Sequence, residues 1–323
     1  MFLQVLAIAR NAFQESVRQP VYVVLLFVGM LLLVLNPSLA AYTLGDDNKL
    51  LIDLGLSTLA ICGLLLAGFT AANVLSREID RKSVLTVISK PVPRPSFILG
   101  KYFGVSAAVA VFFWILAIVF LLTVRHQVMN STRSRFDGPV IVFGLLGGGL
   151  AIGASALANY FYRWVFPSTV TTALGFILTL AWGLVLLVNR YWELQSPLVD
   201  INPQMMLGLA MVFQSILIIT AIAIACATRL GLVMTLLICV GAGLVGMVGE
   251  YFLASWVEVK GMTWMYPLYV MLPNFQLFWP ADALTQGLFI SPGHFLTLSL
   301  YSLAMVGAIL SFAVVLFQQR DVG

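Results

Sequence analysis

Apolar positions along the chain gather into long runs separated by short polar connectors, at about residues 21–42, 50–75, 98–124, 139–161, 165–188, 206–228, 230–253 and 294–317. Each run is close to or above the roughly 20 residues that a helix needs to cross a bilayer core. Backbone polar groups inside lipid must pair within their own segment, as a helix pairs them, whereas barrel strands would read as alternating segments of about ten residues. The pattern predicts an all-α, polytopic membrane bundle. Eight spans are the best count, with six and seven as the alternatives. Composition agrees: 61% of residues are hydrophobic and only 9% charged, against about a quarter charged in a soluble domain.

Residues 1–19 follow a different period. On a helical wheel Phe2, Val5, Leu6, Ala9, Ala12, Phe13 and Val17 share one face, and Gln4, Asn11, Gln14, Glu15 and Arg18 the opposite one. This is an amphipathic helix suited to the membrane interface, so the expected organisation is an interfacial helix over 1–19 and a single transmembrane domain over 20–323. Pro20 marks the turn into the first run. That run, with "PSLAAY" after it, imitates a cleavable secretory signal. The amphipathic stretch before it, in place of a short basic one, and the opening at Met1 favour retention.

The connector 76–101, "SREIDRKSVLTVISKPVPRPSFILGK", differs from all the others. Arg77, Arg81, Lys82, Lys90, Arg94 and Lys101 outweigh Glu78 and Asp80, for a net +4 that equals the formal charge of the whole chain. Basic short loops mark the cytoplasmic side. With this loop inside and the acidic stretch of Asp46, Asp47 and Asp53 outside, both termini become cytoplasmic, in a plasma membrane of the bacterial inner type. One connector objects, since 125–138 carries Arg125, Arg133 and Arg135 yet falls outside. It is read as an exception, because the earlier loop has twice as many basic residues.

Within the basic loop, Ile79, Val84, Val87 and Ile88 are the apolar members of a short helix. Pro91, Pro93 and Pro95 forbid its continuation and stiffen the passage into the next run. Two readings stand: a rigid element able to receive a push from a soluble partner, or a solvated loop that only sets topology.

Candidate chemistry is sparse. No G-x-x-x-x-G-K-[ST] phosphate loop occurs in the sequence, nor H-E-x-x-H or G-x-S-x-G, so no enzyme is expected in this chain. No catalytic, cofactor-binding or metal-binding residue is assigned. His126 and His294 sit at predicted span edges, and Cys62, Cys226 and Cys239 read as small buried residues. Asp53 and Glu250 fall near outer span ends and are weak candidates for a polar pathway. Asn73 and Asn159 are placed for bonds between helices, and the small residues of 144–158 for close packing. The stretch 254–293 is aromatic and proline-rich. It reads as short helices on or dipping into the outer leaflet, with Trp256, Trp264, Tyr266, Tyr269, Phe275, Phe278 and Trp279 suited to the interface.

An interfacial helix, two spans and then a loop carrying Glu78, Ser89, Pro91, Arg94, Phe97, Gly100 and Lys101 resemble the permease subunits of ATP-binding-cassette (ABC) transporters of the exporter-like second type. The family commonly has Gly-Thr where this chain has Lys82-Ser83. The stretch 225–246, with Thr228 and Arg229 at its turn, is similar to the family's second short cytoplasmic turn, and "LFQQRDVG" to its usual ending. The pair 139–161 and 165–188 stands as an extra hairpin beyond the usual six spans.

The resemblance implies that residues 77–90 form a coupling helix docked on a separate nucleotide-binding subunit. The implied coupling loop includes Arg77, Glu78, Asp80, Arg81, Lys82, Pro91, Arg94, Gly100 and Lys101, with Glu78 and Arg81 as plausible contacts and Thr228 and Arg229 at the second turn. ATP would be bound and hydrolysed by that partner, and this chain would carry no cofactor. It would pair with a second copy or a related permease within membrane lipid, without nucleic acid, and export an unidentified substrate. A scaffold or mechanotransmission subunit coupled to an ATPase is the alternative, and a secondary carrier a third.

Overall fold

The structure is a computed structural model that describes residues 2–41, 47–80, 93–128, 136–251 and 272–318, the side chains of 76–80 excepted. Its helices in chain order are α1 (Phe2–Val17), α2 (Pro20–Ala40), α3 (Asp47–Asp80), α4 (Arg94–His126), α5 (Gly147–Tyr162), α6 (Phe166–Leu187), α7 (Pro203–Ala227), α8 (Leu232–Gly249), the short α9 (Ala281–Thr285) and α10 (Pro292–Gln318). A π-helical turn, Val140–Leu146, leads into α5. Eight of these are long and apolar enough to cross a membrane, α5 together with its π-helical entry. The chain is the all-α polytopic bundle that its apolar runs predict.

Local sequence explains where the helices start and stop. Proline occupies the first turn of α2, α4, α6 and α7, where its missing N–H would have had no helical partner. The α5 helix ends at Arg163 in the left-handed region, at φ 55°. Asn159 closes the same end by donating from Nδ2 to the Trp164 carbonyl at 2.6 Å. It therefore caps its own helix and does not bond to a neighbouring one, as the sequence had suggested. Asn73, by contrast, reaches Gln19 in the α1–α2 turn at 3.4 Å.

Two helices outrun the bilayer. At about 1.5 Å per residue, α3 and α4 extend about 50 Å, well beyond a hydrocarbon core of about 30 Å. Their uncharged stretches are residues 54–76 and 102–124, which leaves 77–80 and 94–101 past the apolar zone at one end of the bundle. We call this the basic-loop end, and the opposite one the far end.

The post of the bundle is α4. In its most apolar stretch 67% of residues are enclosed by the rest of the protein, against 17% in α8, so the neighbours arrange themselves around it. Glycines allow the closest approaches. A Cβ at Gly100 would lie 2.7 Å from Ile8 Cβ, and one at Gly104 only 2.6 Å from Ala12 Cβ. This small-x-x-x-small spacing lets α1 run against α4, where van der Waals packing supplies the attraction that lipid does not. Next along α4, Tyr22 of α2 donates to the Ala108 carbonyl at 2.9 Å and meets the Phe112 ring edge-on. Trp114 Nε1 reaches Thr179 of α6 at 3.0 Å, and Phe113 packs on Phe213 of α7.

Among the small residues of 144–158, Gly147 and Gly148 face α6, while Gly149 and Gly153 meet open space. The described part of the aromatic stretch, 272–293, contains a 3-10 turn Gln276–Phe278 and α9. Its Phe275 and Phe278 are buried in protein, so these two rings pack within the bundle and do not face outward as interfacial anchors would. Phe275 N–H bonds to the Gly246 carbonyl at the end of α8, and Asn274 N–H to the Tyr301 hydroxyl of α10. Residues 254–271 lie outside the described residues.

Candidate functional site

Two polar constellations stand at opposite ends of α4. At the basic-loop end, the start of α4, the α7–α8 turn and the last turn of α10 meet. Arg94 donates from Nη1 to the Gln318 carbonyl at 2.7 Å, and Arg229 from Nε to the Leu316 carbonyl at 3.0 Å. A helix C-terminus carries unpaired carbonyls and a partial negative charge, so two arginines from two different segments cap α10 together. The Phe97 and Phe317 rings stack at 5.4 Å beneath them. Thr228 is buried and donates to the Ala225 carbonyl at 2.7 Å, which holds the α7–α8 turn in shape.

Sequence-predicted residues thus divide into groups. Arg94, Thr228 and Arg229 come together around the end of α10. Lys101 is 1% exposed, with Nζ 5.6 Å from the Phe97 ring centroid, within reach of a cation–π attraction. Gly100 serves the α1–α4 contact. Arg77, Glu78 and Asp80 belong to the last turn of α3, but their side chains are not described. Arg81, Lys82, Pro91 and the remainder of the expected coupling helix lie outside the described residues.

The far end holds a cluster that the sequence reading missed. Arg125, in the last turn of α4, donates from both Nη atoms to the Val185 and Val188 carbonyls at the end of α6. Its Nε lies 3.3 Å from Asp137 Oδ2 and its Nη1 3.0 Å from Asp200 Oδ2. Arg190, just after α6, returns the favour to α4: its Nη2 donates to the Arg125 carbonyl at 2.7 Å and its Nε lies 3.4 Å from Asp137 Oδ2. Asp137 is fully buried between the two cations, and its Oδ1 accepts the Val140 N–H at 3.2 Å. Two arginines and two aspartates therefore bind the ends of α4 and α6 to the entries of α5 and α7 with no net charge.

This cluster takes in Arg125, one of the three basic residues of the loop that objected to the expected topology. Arg125 does not act as a free positive charge, because Asp137 and Asp200 neutralise it. Arg133 and Arg135 lie outside the described residues. The signal available in sequence was the "FDGP" stretch, an aspartate directly before an apolar run, which suits a helix-entry cap. Its partners, Arg125 and Arg190, could not be paired with it by spacing.

Beside the cluster lie two adjoining clefts, of 480 and 400 Å³, with Val124, Gln127, Asn202 and Met205 in the walls of both. Arg125, Arg190 and Asp200 line the larger one, and Asn48, Gln204 and Thr285 are among the polar residues of the smaller. Gln127 adopts φ 61° at the end of α4, a conformation that is uncommon for a residue with a side chain. Asn202 caps α7 through Gln204 N–H at 3.0 Å, and Gln204 in turn accepts the Ile290 N–H at 2.8 Å. The two weak pathway candidates lie near this end as well. Glu250 accepts from Asn274 at 2.6 Å, and Asp53 is one turn from Lys49, which pairs at 3.7 Å with Asp282 of α9.

No protein-family model matches the chain, and no curated protein matches it.

Proposed function

We propose that this chain is the membrane-spanning permease subunit of an ABC-type exporter, driven by a separate ATPase that docks at the basic-loop end. One observation carries the reading. The three stretches that resemble permease motifs, widely separated in sequence, meet in space through the bonds of Arg94 and Arg229 to the end of α10. A partner that presses on the basic loop there would move the starts of α4 and α8 and the end of α10 as one body. The enclosed α4 would carry that displacement to Arg125 and the far-end clefts, some 23 uncharged residues away, or about 35 Å at helical rise.

In this reading the basic-loop end is cytoplasmic, the α5–α6 pair is an added hairpin, and the transport path forms against a second copy or a related permease. The continuity of α4 from one polar constellation to the other also favours the mechanotransmission alternative, since a rod transmits motion with or without cargo.

The test is affinity purification of the tagged protein from its native membranes in mild detergent, with ATP hydrolysis assayed on the product. A co-purifying ATPase, released or uncoupled when Glu78 and Arg81 are both changed to alanine, is expected. A chain that purifies alone from membranes where its assembly is preserved would overturn the proposal.

A further inference from the structure

The surface between α1 and α4 raises a question that the coupling reading does not answer. Only part of the apolar face of α1 meets protein: Ala12 and Val17 are buried, while Phe2 is 79% exposed and Leu6 56%. These exposed residues, with Val5, Phe13, Phe103 and Ala107, wall an open groove of 910 Å³ whose lining is almost wholly apolar. The floor is Gly104, the residue whose missing side chain admits α1.

Position and charge identify an occupant. Phe103 and Ala107 fall in the first turns of the uncharged stretch 102–124, so the groove opens where the hydrocarbon meets the headgroup layer. Arg10 is the single charged residue in its lining. At 100° per residue Arg10 lies on α1 between the groove face and the polar face of Gln14 and Arg18, at the rim, where a long cationic side chain reaches headgroup level. An apolar trough with one cation at its polar edge complements an amphiphile with an anionic head.

We infer that this groove holds an anionic phospholipid, with an acyl chain along Phe2, Leu6 and Phe103 and the phosphate beside Arg10. The lipid completes the contact between α1 and α4 that Gly100 and Gly104 begin. The inference stands independently of any ATPase, because it rests on the groove, its cation and its depth.

The full-length protein, reconstituted in vesicles of equimolar phosphatidylglycerol and phosphatidylcholine and then re-extracted, tests it by mass spectrometry of the retained lipid. Wild type is expected to retain phosphatidylglycerol in roughly fivefold excess, the effect of one surface cation near an anionic lipid. Arg10→Gln, an exposed change that leaves the groove walls intact, is expected to retain both lipids equally. Ala107→Phe, which fills the groove, is expected to retain neither above the level of ordinary boundary lipid. Wild-type retention at the bulk ratio, or an excess that Arg10→Gln leaves unchanged, would overturn the inference. So would a disulfide between two copies through Leu6→Cys, which would show a second protein on this face.

Discussion

The two ends of α4 use the same device to different degree. At the basic-loop end Arg94 and Arg229 cap α10 from exposed positions, each through one bond to a backbone carbonyl. At the far end Arg125 and Arg190 cap α6 and α4, and both also meet the fully buried carboxylate of Asp137. Guanidinium on a helix C-terminus is favourable in either place. At the far end Asp137 adds a carboxylate out of water, where loss of one partner leaves the others uncompensated. Among the described residues the far end is the more firmly tied of the two, and the proposed docking of a partner assigns the yielding role to the basic-loop end.

Five substitutions probe that contrast. Asp137→Asn removes the charge shared by Arg125 and Arg190, and is expected to cost roughly 3–5 kcal/mol, seen as a large drop in the melting temperature of the detergent-solubilised protein. A drop of only a few degrees would mean that the cluster is solvated. Arg125→Lys keeps the charge but gives up the planar fork that meets two carbonyls and two carboxylates. The buried carbonyls it strands make a loss of about 2–3 kcal/mol the expectation, by the same measurement.

Gly104→Leu forces a side chain into the α1–α4 contact. It is expected to destabilise by about 1–3 kcal/mol and to make the segment around residues 18–19 newly open to limited proteolysis. Arg94→Ala and Arg229→Ala should each cost at most about 1 kcal/mol, leaving melting almost unchanged. Any larger loss there would erase the distinction between the ends.

What the sequence disclosed and what it hid follow from the range of the forces involved. The spans were legible because lipid imposes the requirement on every residue of a run, and their predicted limits fall within a few residues of the helices formed. The single strong basic loop was legible for the same reason, as a local concentration of charge. Arg125, Asp137, Arg190 and Asp200 were not, since their pairing joins residues from 12 to 75 positions apart that become neighbours only after α4 and α6 pack. Gly100 was read as part of a coupling motif, and its place against Ile8 shows a packing duty that no single sequence separates from the first. Phe275 and Phe278 had the composition of interfacial rings, yet the ends of α8 and α10 supply a protein pocket that only the fold reveals.

The decisive experiment is to compare ATP hydrolysis by the assembly purified from native membranes for wild type, Asp137→Asn and the Arg94→Ala, Arg229→Ala double variant, with melting recorded alongside. The double variant is expected to melt like wild type but to lose most of the coupled ATP hydrolysis, and Asp137→Asn to melt far lower. A double variant with undiminished ATP hydrolysis, or a wild type that brings no ATPase with it, would contradict a basic-loop end that works as the docking and driving end of the molecule.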